Sequence, residues 1–354
     1  MRKRFGIALA AALVFAPRIC LAAPLTKIKE LHPVSAGVGR LFPEGTETVK
    51  IVVKDERQPP ESVMVAGLME RALMSPALIA FYSENARATA ELFESGAREA
   101  VSILGMKPGD GALLTITIKD FRVEYAAHAF GGFNLIAYGN VQTSLQSADG
   151  AELAARNFRY ASWDSSTKLS FESVYARAAW EAAAKTLQAG FAKKAEPEAI
   201  QRVLATALDK TKDDAARAHA TYWLGLAGQD VPSVPDKLFT LFRQEKDQTI
   251  YETAALALAK LSAPGAREEF EAVLSGAKKL PEWDPRDDAE EAWTLLHAQA
   301  ILGAKDLGQK IPATLQKRRE RVADLVRFHE TGESPKMAPK LSEELEKAKA
   351  KKKL

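Results

Sequence analysis

Five histidines, one cysteine and a run of acids are the residues of this chain best suited to chemistry. The histidines are His32, His128, His219, His297 and His329. A helical zinc site needs two of them one turn apart, usually as HExxH, and that spacing does not occur. Zinc held by CxxC pairs is excluded, because Cys20 is the only cysteine. The acids Asp284, Asp287, Asp288, Glu290 and Glu291 lack the central Gly of a calcium loop, and Arg286 intrudes. They read as a helix start, where carboxylates meet the positive end of the helix dipole. Gly37-Val38-Gly39 has neither the third Gly nor the preceding strand of a dinucleotide loop. No GK[ST] phosphate loop and no GxSxG nucleophile elbow is present. No catalytic residue, metal or cofactor is therefore expected, and the chain reads as non-enzymatic.

Binding chemistry is better represented. Tyr222, Trp223, Phe239, Phe242, Tyr251, Phe270, Trp283 and Trp293 spread aromatics over the second half. Most are expected in the core. Tyr222, Trp223 and Tyr251 are the candidate anchors for a partner, since aromatics dominate the energetics of protein interfaces. Asp55 and Arg57 close the first strand and are a further candidate binding pair, with an ion pair that ends the strand as the structural alternative.

The elements that must position these residues fall into two groups. Val49 to Lys54 is a β-branched strand. Residues 61–82 are apolar, with Met64, Met69 and Met74 as core filler, and suit either strand or helix. Thr89, Phe93, Ala97, Ala100 and Leu104 form one helical stripe within 86–104, stopped by Gly105. Leu114, Ile116 and Ile118 alternate, and Phe121, Val123 and Tyr125 alternate in the opposite phase. That slip at Lys119-Asp120 predicts a β-bulge. A second strand follows from Phe133 to Leu145, then a turn at Asp149-Gly150 and a return strand over 151–162. An amphipathic helix runs from Phe171 to about Phe191. Residues 24–195 are thus expected to form an α+β domain, an antiparallel sheet with helices on one face.

Strand signals cease at Ala195-Glu196-Pro197, and 196–330 is expected to be all-α. Helices are placed near 197–209, 213–227, 235–245, 247–262, 265–276, 286–303 and 305–328. A 34-residue offset aligns Asp213 with Asp247, Ala216 with Ile250, Ala220 with Ala254, Leu224 with Leu258 and Ala227 with Leu261. A period of this length predicts stacked helix pairs. Residues 331–354 form a polar tail with Lys347, Lys349, Lys351, Lys352 and Lys353, a solvated segment or a peripheral contact to an anionic membrane.

Length and composition fit an ordinary globular protein: 354 residues, 47% hydrophobic and 27% charged. The net charge of +3 comes from the first 23 residues, which hold Arg2, Lys3, Arg4 and Arg18 and no acid. Without them 45 basic residues face 46 acidic ones, so no basic field for nucleic acid exists. The charged start, the 12-residue apolar run Phe5–Ala16, Pro17 and the small residues Ala22 and Ala23 predict a secretory signal peptide over 1–23. Cleavage after Ala22 would remove Cys20. Arg18 and Ile19 precede that cysteine, which is a poor context for lipidation.

Residues 49–192 resemble the YajG family of bacterial envelope lipoproteins. The carriers are Val52-Val53-Lys54-Asp55-Glu56-Arg57, the strands LLTITIKDFRVEY and FNLIAYGNVQTSL, the Asp149-Gly150 turn and the helix from Phe171. Residues 196–303 resemble HEAT-like repeats, most closely over Glu252 to Leu274, with tetratricopeptide repeats as the runner-up through Tyr222-Trp223-Leu224-Gly225. These resemblances imply a periplasmic, protein-binding scaffold or auxiliary component of an envelope transport or assembly system. The alternative is a carrier of a lipid or cell-wall fragment, lined by Phe121, Val123, Phe133 and Tyr138.

Overall fold

The structure, a computed structural model, describes residues 41–57, 65–67, 89–127, 133–164, 171–278, 288–304, 307 and 319–333. The expected signal peptide, Met64, Met69, Met74, the acidic run before Asp288 and the Lys-rich tail lie outside them. The first half comprises β1 (Thr48–Asp55), β2 (Val65–Gly67), α1 (Thr89–Ile103), β3 (Lys107–Pro108), β4 (Ala112–Ala127), β5 (Phe133–Gln146), β6 (Glu152–Asp164) and α2 (Phe171–Gly190). The second half is all helical among the described residues: α3 (Pro197–Leu208), α4 (Asp214–Ala227), α5 (Ser233–Gln244), α6 (Gln248–Lys260), α7 (Ala266–Leu274), α8 (Asp288–Ile301) and α9 (Arg319–Thr331). The chain therefore has an α+β fold followed by a helical array.

One mixed sheet has the order β3-β1-β4-β5-β6, with β2 also on β4. The expected antiparallel meander β4-β5-β6 is present. β1, β2 and β3 instead pair in parallel, β1 against both β3 and β4. Parallel pairing of β1 with β4 needs a crossover, and α1 belongs to it. Leu114, Ile116, Ile118, Val141 and Leu145 point to one face and are buried under α1 and α2.

The bulge falls where the alternation slips. Ile118 pairs with Val141, Asp120 with Asn140, and Lys119 is left over. The extra residue returns Phe121 to the inner face, where it is 1% exposed. Its ring stacks on Tyr160 at 5.9 Å and meets Phe93 edge-on at 5.4 Å and Tyr175 at 4.8 Å. Gly139, the cross-strand partner of Phe121, makes room for that ring: a Cβ there would lie 1.9 Å from Phe121 Cδ2.

α1 and α2 lie side by side, and Gly96 brings them close. A Cβ at Gly96 would lie 2.1 Å from the Ala176 carbonyl oxygen. α2 is Ala-rich for the same reason. Its small residues Ala178, Ala179, Ala182 and Ala183 are buried between the sheet and its neighbours.

The helical array is built of pairs. α3 packs on α4, α5 on α6 and α7 on α8, while α4, α6 and α8 stack in succession. The 34-residue offset is physical. Asp213 caps α4 by accepting from the Ala216 amide at 2.8 Å, and Asp247 caps α6 by accepting from the Ile250 amide at 3.0 Å. Ala220, Ala254, Leu224 and Leu258 are all fully buried at equivalent depths.

α9 crosses back to the sheet. Phe328 meets Tyr138 edge-on at 5.5 Å, on the face opposite Phe121, and Arg159 donates to the His329 carbonyl. Leu296, Val322 and Leu325 complete this second core. Tyr138 and Arg159, both on the outer sheet face, are thereby joined to α9.

Filling the space of Gly139 should be costly. Gly139→Ala is expected to destabilise the fold by about 1–3 kcal/mol, as overpacking in a filled core does. Adding Phe121→Leu should recover part of that loss, measured as the midpoint of urea unfolding.

Candidate functional site

Asp55 and Arg57 form a fork-to-fork ion pair, with Arg57 Nε to Asp55 Oδ1 at 2.8 Å and Nη2 to Oδ2 at 2.6 Å. Both side chains are largely buried. Arg57 Nη1 donates to the Phe121 carbonyl at 3.2 Å, and the Glu56 amide donates to the Ile118 carbonyl at 3.0 Å. Lys119, the bulged residue, pairs with Glu56. The Asp-Glu-Arg segment thus straddles the bulge and fixes it from the neighbouring strand. Its geometry is that of a clamp, with the guanidinium committed to protein acceptors.

Tyr251 stacks on Phe242 at 4.8 Å and is fully buried between α5 and α6. Trp223 is 2% exposed and meets Trp180 edge-on at 4.7 Å. These two aromatics belong to the interior. Tyr222 is half-buried and donates its hydroxyl to Glu181. Tyr222, Trp223 and Tyr251 are therefore not brought together as one exposed patch.

Glu181 belongs to no sequence motif and yet holds the centre of this region. It is 3% exposed, in the middle of α2. Lys260, the last residue of α6, donates to it at 2.6 Å, and Tyr222 of α4 donates as well. Lys260 Nζ also sits 4.8 Å from the centre of the Tyr222 ring, and Arg177 lies 5.7 Å from it. Burial opposes ionisation of Glu181. The charges of Lys260 and Lys185 and the two hydrogen bonds outweigh it and hold the carboxyl below its usual range. Burial and the facing carboxylate push the Tyr222 hydroxyl well above its ordinary value. Glu181 stays a carboxylate and Tyr222 a neutral donor. One sequence signal existed: Arg177, Glu181 and Lys185 recur every four residues on a helix otherwise rich in Ala.

A second buried ion pair ties the repeats. Arg217 of α4 binds Glu245 at the end of α5 and donates from Nε to the Ala207 carbonyl of α3 at 3.3 Å. Glu245 also accepts from the amides of Lys246 at 2.9 Å and Asp247 at 3.3 Å. Burial raises the Glu245 carboxyl, but Arg217 and these amides bring it below its usual value.

Two open surfaces stand out among the described residues. On the outer sheet face lies a shallow polar surface lined by Thr117, Gln142, Ser144, Ala155 and Asn157. A basic cavity lies where α2, α4 and α6 end. Among the described residues no three metal-ligating side chains converge, and no helix is long and apolar enough to cross a membrane. The expected ligand-lining set is divided: Phe121 fills the inner core, Tyr138 lies under α9, and the side chains of Val123 and Phe133 lie outside the described residues.

No family model matches the chain, and no curated protein matches it. Among solved structures, a Xanthomonas campestris protein described by the family model DUF330 is similar over 43% of this chain and 90% of its own, at 16% identity and a TM-score of 0.31.

His297 and His329 face each other at 5.6 Å where α8 meets α9. Burial lowers both, with His329 and Lys260 adding to the effect at His297 and Arg159 at His329, which is brought from 6.5 to about 4. The folded state favours the neutral rings, so the unfolded chain takes up protons first. Stability is full above pH 6.5 and falls as pH drops towards about 4. The urea midpoint should fall across that window in the wild-type chain, and His329→Gln should flatten the slope.

Proposed function

We propose that this chain is a non-catalytic protein of the bacterial cell envelope, exported by its signal peptide, that holds a protein partner against a rigid two-part body. The observation that carries this reading is the disposition of the sheet. Its inner face packs under α1 and α2, Tyr138 and Arg159 of its outer face meet α9, and the polar stretch with Thr117, Gln142, Ser144 and Asn157 lies open. Flat strand faces of this kind suit protein contact.

Two further features support it. The buried charges Glu181, Arg217 and Glu245 are each spent on joining elements. The helix pairs repeat their caps and buried positions, as expected of an array that presents an extended surface. The YajG-like and HEAT-like resemblances point to the same class of protein. The carrier alternative receives less support, because the space expected to hold an apolar ligand is occupied by the rings of Phe93, Phe121, Tyr160 and Tyr175.

A photo-crosslinking residue placed at Gln142 in living cells tests the reading, with a second at exposed Lys237 on α5 as control. A discrete protein adduct at position 142 and none at 237 is expected. Absence of an adduct at 142 and at 117, in protein shown to be exported, would overturn it.

A further inference from the structure

We propose that the cavity at the converging ends of α2, α4 and α6 is a binding site for a phosphate-class oxyanion, either a free phosphate ester or a phospholipid headgroup. This inference is independent of the scaffold reading. The cavity has a volume of about 330 Å³, at the lower end of the size of small-ligand pockets. Its charged lining comprises Arg156 of β6, Lys185 of α2, Lys193 and Lys194 just beyond α2, Lys260 of α6 and Asp230 beyond α4.

The charge does not balance. Lys193 is paired with Glu47 at 3.1 Å and Lys260 with Glu181 at 2.6 Å. Among the described residues, no carboxylate pairs with Arg156, Lys185 or Lys194. With Asp230 set against these three, two positive charges of the cavity lining remain without a carboxylate partner among the described residues, which matches a phosphate dianion. The carbonyl ends of three helices explain why some cations gather here. They do not explain a half-buried ammonium that faces an aromatic ring and pairs with no carboxylate of its own among the described residues: Lys185 lies 5.5 Å from the centre of the Phe158 ring. Burial, and after it the neighbouring Lys260, lowers the proton affinity of Lys185, with Glu181 acting the other way. A bound anion would reverse that deficit and gain charge-assisted hydrogen bonds from Lys185 and Arg156.

The test is calorimetric titration of the full chain at low salt, where electrostatics are least screened. The probes are inorganic phosphate, glycerol 3-phosphate, and vesicles of phosphatidylglycerol in phosphatidylcholine, with pure phosphatidylcholine as control. Saturable one-to-one binding is expected, weakened at least about tenfold by Lys185→Met and clearly by Arg156→Gln. Lys237→Gln, at an exposed residue that does not line the cavity, should bind as the wild type does. Arg156 is exposed, so R156Q decides the matter if K185M fails to fold. Binding of glycerol 3-phosphate that depends on Lys185 assigns a free ester, and binding confined to phosphatidylglycerol vesicles assigns a headgroup. No saturable binding, or equal binding by wild type, K185M and R156Q, would overturn the proposal.

Discussion

Glu181 is the constraint on which the remaining structure depends. A carboxylate buried in the middle of a helix is expensive unless its partners come to it. Here they come from two other helices, Tyr222 of α4 and Lys260 of α6, while α2 itself lies on the sheet. Trp180, the preceding residue, packs edge-on against Trp223 of the same α4. One turn of α2 thus carries both the polar and the apolar joint between the two halves. The buried core runs from Val49 of β1 through Trp180 to Phe270 of α7 without a gap.

That joint explains several features that otherwise look separate. α2 must be slender to lie between the sheet and its neighbours, hence its alanines and the close approach of Gly96 to Ala176. α4 and α6 must present their ends to α2 at fixed positions, and the matched Asp caps together with Arg217 and Glu245 fix where those helices begin. Lys260 reaches Glu181 from the last position of α6 and lines the same cavity as Lys185. On the other side, the Asp55-Glu56-Arg57 clamp holds the bulge that turns Phe121 inward beneath α1 and α2.

Much of the framework was legible in the sequence because it depends on local periodicity. The slip between Ile118 and Phe121 gave the bulge directly, since a strand with a period of two cannot change phase without an extra residue. Asp213 and Asp247 were legible as helix starts from their spacing alone. The direction of β1 was not, because alternation marks a strand without revealing which way its neighbour runs. Glu181 and Lys185 were hidden for a related reason. A Glu and a Lys four apart on a helix read as a solvated pair, and only the packing of α4 and α6 puts them inside. Tyr222 and Trp223 were identified as notable, but their partners Glu181 and Trp180 are about 40 residues away. The return of α9 to Arg159 spans 170 residues and leaves no local trace.

The most direct measurement is urea unfolding followed by pulsed hydrogen exchange and mass spectrometry, comparing peptides from β4 and β5 with peptides from α4 and α6. One shared midpoint for both sets is expected, moving as a unit in Glu181→Ala, because α2 joins sheet and array into one cooperative body. Two separated midpoints, with the sheet unaffected by the loss of Glu181, would contradict it.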